Sequence, residues 1–390
     1  MAYTYLPAED STIALQQQVA RLQALLEASR QIHAAVRLED AMKLALQIIV
    51  RELEVQGAHF TAPPLTYGEV PPAPFEGCLR MPLYDKEGRE LTELVVAPNP
   101  AVPLGLYEED FVQGVALQAS VAIENAHYHE RNVAWVRLEH DLAAARAIQK
   151  SLLPQTMPNL PGYKLAVRSS ACYEVGGDYA DILTLASGEV MMIVADVAGK
   201  GLASAIMSTA FRSAFRAMAT SGLSLSDIAI RLNQEHWGEG AEARLRYVTA
   251  IFLKLDAAAG HIEVVNAGHS PGFLIDHAGF RQIDACGPPL GILPGSHYSS
   301  EQFEFAPGAR LLLYTDGLTD QLNEKGEEFG AERLAADFLN SPAVLGKAGG
   351  KAILDHLWEQ VFRFADGVEK GDDMTALVLC RESGGVEAAW

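Results

Sequence analysis

The chain has 390 residues, which is long enough for two domains with separate hydrophobic cores. Its apolar fraction of 49% and charged fraction of 21% are typical of a globular protein rather than a disordered one. The formal net charge of −20 argues against a nucleic-acid partner and against an anionic membrane, because binding to either needs a basic surface.

No targeting segment is visible. The first residues lack a basic stretch followed by an apolar run, and no stretch approaches the ~20 apolar residues of a spanning helix. The 4 cysteines are scattered without the paired spacing of disulfides or zinc sites. We therefore expect a cytoplasmic protein.

The first third of the sequence predicts helices at its start and its end. Residues 9–29 have a narrow apolar seam, which is compatible with a coiled coil or with packing on the next domain. The helical pattern continues over residues 28–53, and the Pro-rich residues 61–75 predict a loop. Residues 108–124 predict another helix, because their first acids suit a helix N-terminus.

Between these helices the sequence predicts a hairpin with strands at residues 78–83 and 90–97. Further on, residues 132–153 predict a helical connection whose apolar positions fall on a heptad seam, broken by Gln149. Pro154 then ends the helix. We expect this connection to join two protomers and to carry a signal between domains, and a plain spacer is the alternative.

Residues 174–201 predict a β-hairpin with an aspartate at the open end of each strand. A three-residue loop favours glycine at its left-handed position, and Gly188 in that place puts Asp178 directly opposite Asp196. Cross-strand partners have Cβ atoms ~4.5–5.5 Å apart, so the carboxylates repel unless a proton or a cation lies between them. Oxygen ligands of this kind favour Mg²⁺ or Mn²⁺ over zinc. Two unrelated strand-end aspartates are the alternative.

Two later stretches also carry acids at the ends of predicted strands. The apolar run 310–316 ends in Asp316, and Asp372 and Asp373 precede the apolar run 374–380. Carboxylates at strand ends can meet at one edge of a core, although a single Asp-Gly is ordinarily a turn. The strands form short hairpin-sized pairs rather than alternating regularly with helices, which favours antiparallel sheets.

Six motifs occur in an order that resembles a known family. They are residues 176–178 (GGD), 196–201 (DVAGKG), 266–269 (NAGH), 289–291 (PLG), 314–317 (YTDG) and 372–375 (DDMT). Over about residues 147–380 the chain resembles the SpoIIE/RsbU-like branch of the PPM metal-dependent serine/threonine phosphatases. The N-terminal third resembles a GAF sensory domain.

The resemblance implies an α+β protein. A C-terminal four-layer α-β-β-α sandwich of two antiparallel sheets would follow a small α/β GAF-like domain and a helical linker. The implied divisions are an N-terminal helix (1–29), a GAF-like sensory domain (30–128), a helical or coiled-coil linker (129–155), a PPM-type phosphatase domain (156–383) and a tail (384–390).

The resemblance also implies a centre that holds two Mn²⁺ or Mg²⁺ ions. The implied catalytic residues are Asp178, Asp196, Asp316 and Asp372, and the implied metal ligands are these four, the main-chain carbonyl of Val197 and Asp373. Asp196 would bridge both ions, and Asp178 would serve one of them directly or through water. Asp316 and Asp372 would serve the other ion, with Asp373 as the alternative to Asp372. Two such ions can activate a water for in-line attack, so no cysteine or serine nucleophile is required.

Two further polar residues lie inside the motifs. Lys200 stands between two glycines, where it would either steer a phosphate or simply be solvated. His269 lies in a tight loop, where it would act as a general acid or form a structural hydrogen bond.

The function implied by the resemblance is that of a phosphoserine/phosphothreonine protein phosphatase regulated through its N-terminal domain. Its substrate would be a phosphorylated anti-anti-sigma-type (STAS) protein in a partner-switching pathway, and we expect a homodimer. The alternatives are a metal-dependent phosphohydrolase of a small phosphoester and a non-catalytic signalling module. The complete set of aspartates disfavours the non-catalytic module.

Overall fold

A computed structural model describes residues 8–35, 37–101, 104–341 and 349–383. The chain divides into two compact units, Met1–Glu139 and His140–Trp390. The predicted tail, residues 384–390, lies outside the described residues. Within the described ranges, no helix has the length and apolar character needed to cross a membrane.

The N-terminal unit combines helices with an antiparallel four-stranded sheet. Its elements are α1 (Ala8–His33), α2 (Leu38–Leu53), β1 (Gly57–Thr61), β2 (Pro64–Gly68), β3 (Leu79–Tyr84), β4 (Glu90–Ala97) and the first part of α3 (Leu106–Leu152). The strand order in the sheet is β2-β1-β4-β3. The helices and the sheet share one core, whose buried residues include Ile32, Ile49, Phe60, Val96 and Val115.

Two predictions for this unit were wrong. The helix expected over residues 28–53 is interrupted, because α1 ends at His33 and α2 begins at Leu38. The break lets Ile32 of α1 and Ile49 of α2 enter the same core, which a straight helix would not allow. The loop expected over residues 61–75 contains β2, which is an edge strand and therefore tolerates Pro64 at its start.

The other predictions for the first half agree with the structure. The hairpin is formed by β3 and β4, which pair antiparallel. A single helix, α3, covers both the helix predicted over residues 108–124 and the helical connection predicted over residues 132–153. The division between the two compact units falls inside this helix.

The C-terminal unit contains the end of α3 and most of the strands. The remaining elements are β5 (Tyr163–Ser170), β6 (Tyr179–Thr184), β7 (Val190–Val197), α4 (Leu202–Ala219), α5 (Leu225–Gly238), α6 (Ala241–Arg244), β8 (Val248–Asp256), β9 (His261–Ala267), β10 (Gly272–Asp276), β11 (Gly279–Ile283), β12 (Glu301–Glu304), β13 (Arg310–Tyr314), a short 3-10 helix (Asp316–Leu318), α7 (Ala331–Leu339), α8 (Gly349–Ala365) and β14 (Met374–Arg381). They form two five-stranded sheets with the orders β12-β9-β8-β7-β6 and β11-β10-β13-β14-β5.

These elements form four layers, as predicted. The two sheets share a core that includes Val194, Ile251, Leu311 and Leu377. Helices α4 and α5 cover the outer face of the first sheet through residues such as Phe215. Helices α7 and α8 cover the outer face of the second sheet through residues such as Trp358. The α-β-β-α sandwich of two antiparallel sheets is therefore confirmed.

Candidate metal centre

The hairpin of β6 and β7 brings Asp178 opposite Asp196. Tyr179 pairs with Ala195, and Asp178 and Asp196 are the next residues along the chain on either side of this pair. Gly188 has φ +90° in the turn, a conformation that favours glycine. The predicted register is therefore confirmed.

Side-chain alternation decides which way these carboxylates face. Asp196 lies on the same face of β7 as Met192 and Val194, which pack between the two sheets. Thr315 follows β13 with the alternation of Leu311 and Leu313, whose side chains enter the same core from the second sheet. The two sheets thus meet at this edge through polar side chains rather than apolar ones.

The four predicted catalytic aspartates act on one another electrostatically. Burial raises the pKa of Asp178 well above its ordinary range, and the charges of Asp196 and Asp373 raise it further. Burial also raises the pKa of Asp196 to about 7, with additional contributions from the charges of Asp316 and Asp372. The pKa of Asp316 is raised by loss of surrounding water and then by the charges of Asp320 and Asp372. Each of the four carboxylates therefore interacts electrostatically with at least one of the others.

Thr315 connects the two sheets at this cluster. Its hydroxyl donates a hydrogen bond of 2.8 Å to Asp178 Oδ2 and accepts one of 2.9 Å from the backbone N–H of Thr375. Thr315 is fully buried, so both bonds are shielded from water. We did not single out this residue from the sequence. Its position between Tyr314 and Asp316, inside a recognised motif, was the available signal.

The two neighbouring aspartates at the start of β14 have different surroundings. Asp373 is buried, and its oxygens accept backbone N–H groups of Cys172 and Gly177 at 2.7 Å each. Asp372 is half-exposed and forms an ion pair of 2.9 Å with Lys200. Asp373 thus anchors two loops, whereas the Asp372 carboxylate lies at the open side of the cluster.

The donor set fits divalent cations that bind oxygen. A Cβ built on Gly177 would lie 2.7 Å from the carbonyl oxygen of Val197 and 3.3 Å from Asp196 Oδ1, so these two oxygens face a space that only glycine leaves open. Within the described ranges, no three His, Cys, Asp or Glu side chains are arranged to enclose one ion by themselves. Each cation would therefore also need carbonyl or water ligands, which is usual for Mg²⁺.

Gln149 of α3 fixes the loop that precedes Asp178. Its side-chain amide donates to the carbonyl oxygen of Gly176 at 2.6 Å and accepts the N–H of Gly176 at 3.1 Å. These two hydrogen bonds to the backbone of one residue explain why a polar residue interrupts the heptad seam. The interruption was a signal in the sequence that we did not connect with the site.

The structure discriminates between the alternatives for His269 and Lys200. His269 is buried, its Nδ1 lies 2.8 Å from the hydroxyl of Thr249, and burial lowers its pKa to about 4. A neutral, enclosed imidazole fits a structural hydrogen bond better than a general acid. Lys200 is not simply solvated, because its Nζ lies 2.9 Å from Asp372 Oδ2. The hydrogen bond that Lys200 donates to this carboxylate raises the pKa of the lysine.

Comparison with known proteins gives the chain a family and relatives. The profile of stage II sporulation protein E (SpoIIE) matches residues 186–382, which is half of the chain. Protein IcfG of Synechocystis sp. is 24% identical over 62% of this chain and 41% of its own length. Phosphoserine phosphatase RsbP of Bacillus subtilis is 30% identical over 47% of this chain and 46% of its own length. The chain thus spans less than half the length of these two relatives.

A solved structure supports the fold. The SiaA-PP2C domain of Pseudomonas aeruginosa matches with a TM-score of 0.55 and 21% identity, over 64% of this chain and 98% of that domain. At this level of identity the similarity establishes the four-layer architecture.

Proposed function

Because the chain belongs to the SpoIIE family, we propose that it is a metal-dependent phosphatase that removes phosphate from phosphoserine or phosphothreonine in a protein. The observation that supports this proposal is the charge interaction that links Asp178 to Asp196, Asp196 to Asp316 and Asp372, and Asp316 to Asp372. Repelling carboxylates of this kind are suited to oxygen-binding divalent cations.

Each residue at the centre has a proposed role. Asp196 and the carbonyl of Val197 would hold both ions, and Asp178, oriented by Thr315, would hold one of them directly or through water. Asp316 and Asp372 would hold the other ion. We assign Asp372 rather than Asp373, because Asp373 already accepts two backbone N–H groups. When bound, two Mn²⁺ or Mg²⁺ ions would supply an activated water and neutralise charge on the phosphoryl oxygens.

The substrate we propose is a phosphorylated STAS-type protein of a partner-switching pathway. The similarity to a phosphoserine phosphatase, RsbP, supports phosphoserine as the group that is hydrolysed. The STAS-type protein is what the resemblance to the SpoIIE/RsbU-like branch implies. We further propose that the N-terminal unit is a GAF-like sensory domain. It would regulate the phosphatase through α3, because Gln149 of that helix contacts the loop before Asp178.

We also propose a homodimer joined by α3. Trp135 and Leu138 are 62% and 51% exposed on this helix, and burial of such side chains in a second copy would be favourable. Light scattering should then give twice the chain mass of 42.1 kDa. Leu138→Glu should weaken the association, whereas a monomeric wild type at micromolar concentration would exclude this proposal.

The proposed substrate class is tested by comparing a phosphoserine peptide with p-nitrophenyl phosphate at saturating Mn²⁺. A protein phosphatase should hydrolyse the peptide with the higher kcat/KM. Preference for the small phosphoester would favour a small-molecule phosphohydrolase. Hydrolysis of neither compound, with metal bound, would favour the non-catalytic alternative.

A further inference from the structure

Lys200 is a positively charged residue in contact with the candidate metal centre. Its Nζ lies 2.9 Å from Asp372 Oδ2 and donates a hydrogen bond of 2.5 Å to the carbonyl oxygen of Gly371. Among the described residues, no other lysine or arginine forms an ion pair with any of the five aspartates of the centre. An ammonium group has three protons, so these two contacts leave one proton for a further acceptor.

The loop that carries Lys200 leaves the ammonium accessible. Gly199 and Gly201 flank the lysine with φ values of +100° and +77°. A Cβ built on either glycine would meet no atom within 4 Å, so this side of the loop is open. The Lys200 side chain is 47% exposed. The Lys200 side chain therefore contacts Asp372 of the carboxylate cluster and is partly exposed to solvent.

Charge balance at the centre indicates what such a group would do. When ionised, Asp178, Asp196, Asp316, Asp372 and Asp373 carry five negative charges, and two divalent cations would leave one negative charge uncompensated. A phosphomonoester at a pH near or above its second pKa adds up to two more negative charges. The positive charge of Lys200 makes the centre with two bound cations neutral. This neutrality removes the net repulsion between the centre and an approaching phosphoryl group.

We propose that Lys200 binds a phosphoryl oxygen of the substrate while it remains paired with Asp372. This inference rests on the proposed function and assigns a substrate-binding residue to the same site. The lysine acts as a positive charge with one available proton rather than as an acid. It therefore contributes to the binding of the phosphoryl group without taking part in proton transfer.

The test is the binding of orthophosphate to the full chain at saturating Mg²⁺, measured by isothermal titration calorimetry. Loss of one charge-assisted hydrogen bond should weaken phosphate binding of Lys200→Met roughly tenfold. Lys200→Arg should bind phosphate more tightly than Lys200→Met, because it keeps the charge. Lys150→Met is the matched control, since Lys150 is an exposed lysine that lines a cavity beside Asp178 and Asp373. We expect this control to bind phosphate as the wild type does.

The Mg²⁺ affinity of each variant is measured separately, so that every phosphate titration is made on protein saturated with Mg²⁺. The proposal is overturned if Lys200→Met binds phosphate as tightly as the wild type, if Lys150→Met shows the larger loss, or if the loaded wild type binds no phosphate. A wild type that binds phosphate but hydrolyses no phosphoserine peptide would contradict the proposed function instead. In an active enzyme, KM for the peptide should rise in Lys200→Met.

Discussion

Replacing Asp196 by asparagine should stabilise the fold when no divalent metal is present. In the folded chain the pKa of Asp196 rises from 3.8 to about 7, because the side chain loses surrounding water and lies near the charges of Asp316 and Asp372. Between these two pH values the folded state keeps a proton that the unfolded state has lost, so stability falls as pH rises. One pKa unit corresponds to about 1.4 kcal/mol, so ionised Asp196 costs at most about 4 kcal/mol above pH 7. Asparagine has the same shape and no charge, and therefore avoids this cost.

The assay is thermal unfolding in EDTA at pH 5 and at pH 8, followed by circular dichroism. At pH 8, Asp196→Asn should unfold several degrees above the wild type. A change of 1 kcal/mol shifts Tm by about 2–4 °C for a unit of the size of His140–Trp390. The difference in Tm between Asp196→Asn and the wild type should be smaller at pH 5, where the wild-type carboxyl is protonated. Saturating Mn²⁺ should reverse the order, because the variant loses the proposed bridging ligand. Asp284→Asn, at an exposed surface position, is the control.

Two results would refute this reasoning. One is a variant that is less stable than the wild type in EDTA at pH 8. The other is equal stabilisation of both proteins by Mn²⁺. Either result would mean that the aspartates around Asp196 do not form a repelling cluster that a cation relieves.

Three further substitutions test individual contacts. Gly177→Ala should weaken Mn²⁺ binding at least tenfold by calorimetry, because the new methyl group would lie 2.7 Å from the Val197 carbonyl; unchanged affinity would show that this oxygen does not face an ion. Thr315→Val should lower the free energy of unfolding by roughly 1–3 kcal/mol, since Asp178 loses a buried donor, and Thr315→Ser should restore it. Gln149→Leu should lower kcat, measured as phosphate release, because the backbone of Gly176 loses both hydrogen bonds. A variant that turns over at the wild-type rate would show that this contact does not matter for catalysis.

Local sequence information was sufficient for the central hairpin. The turn glycine Gly188 fixes the register, and the register alone places Asp178 opposite Asp196. The four-layer fold followed from the ordered motifs rather than from strand periodicity. Strands β10 and β11 were not predicted, although they pair with each other over Gly272–Asp276 and Gly279–Ile283.

Contacts between distant parts of the chain could not be predicted. Thr315 reaches Asp178 across 137 positions, and Lys200 reaches Gly371 across 171 positions. Neither contact leaves a periodic pattern in the sequence. The break after His33 and strand β2 were missed for a related reason, because packing into a shared core overrode the local helical and loop signals.

The most direct test of the account is phosphate release from a phosphoserine peptide by the full chain, with Mn²⁺ and with EDTA, in the wild type and in Asp196→Asn. The wild type should turn over with Mn²⁺ and stop in EDTA, and Asp196→Asn should lose activity by orders of magnitude while its circular dichroism stays native. Turnover by the wild type in EDTA, or near-normal activity in folded Asp196→Asn, would contradict a metal centre built on these aspartates.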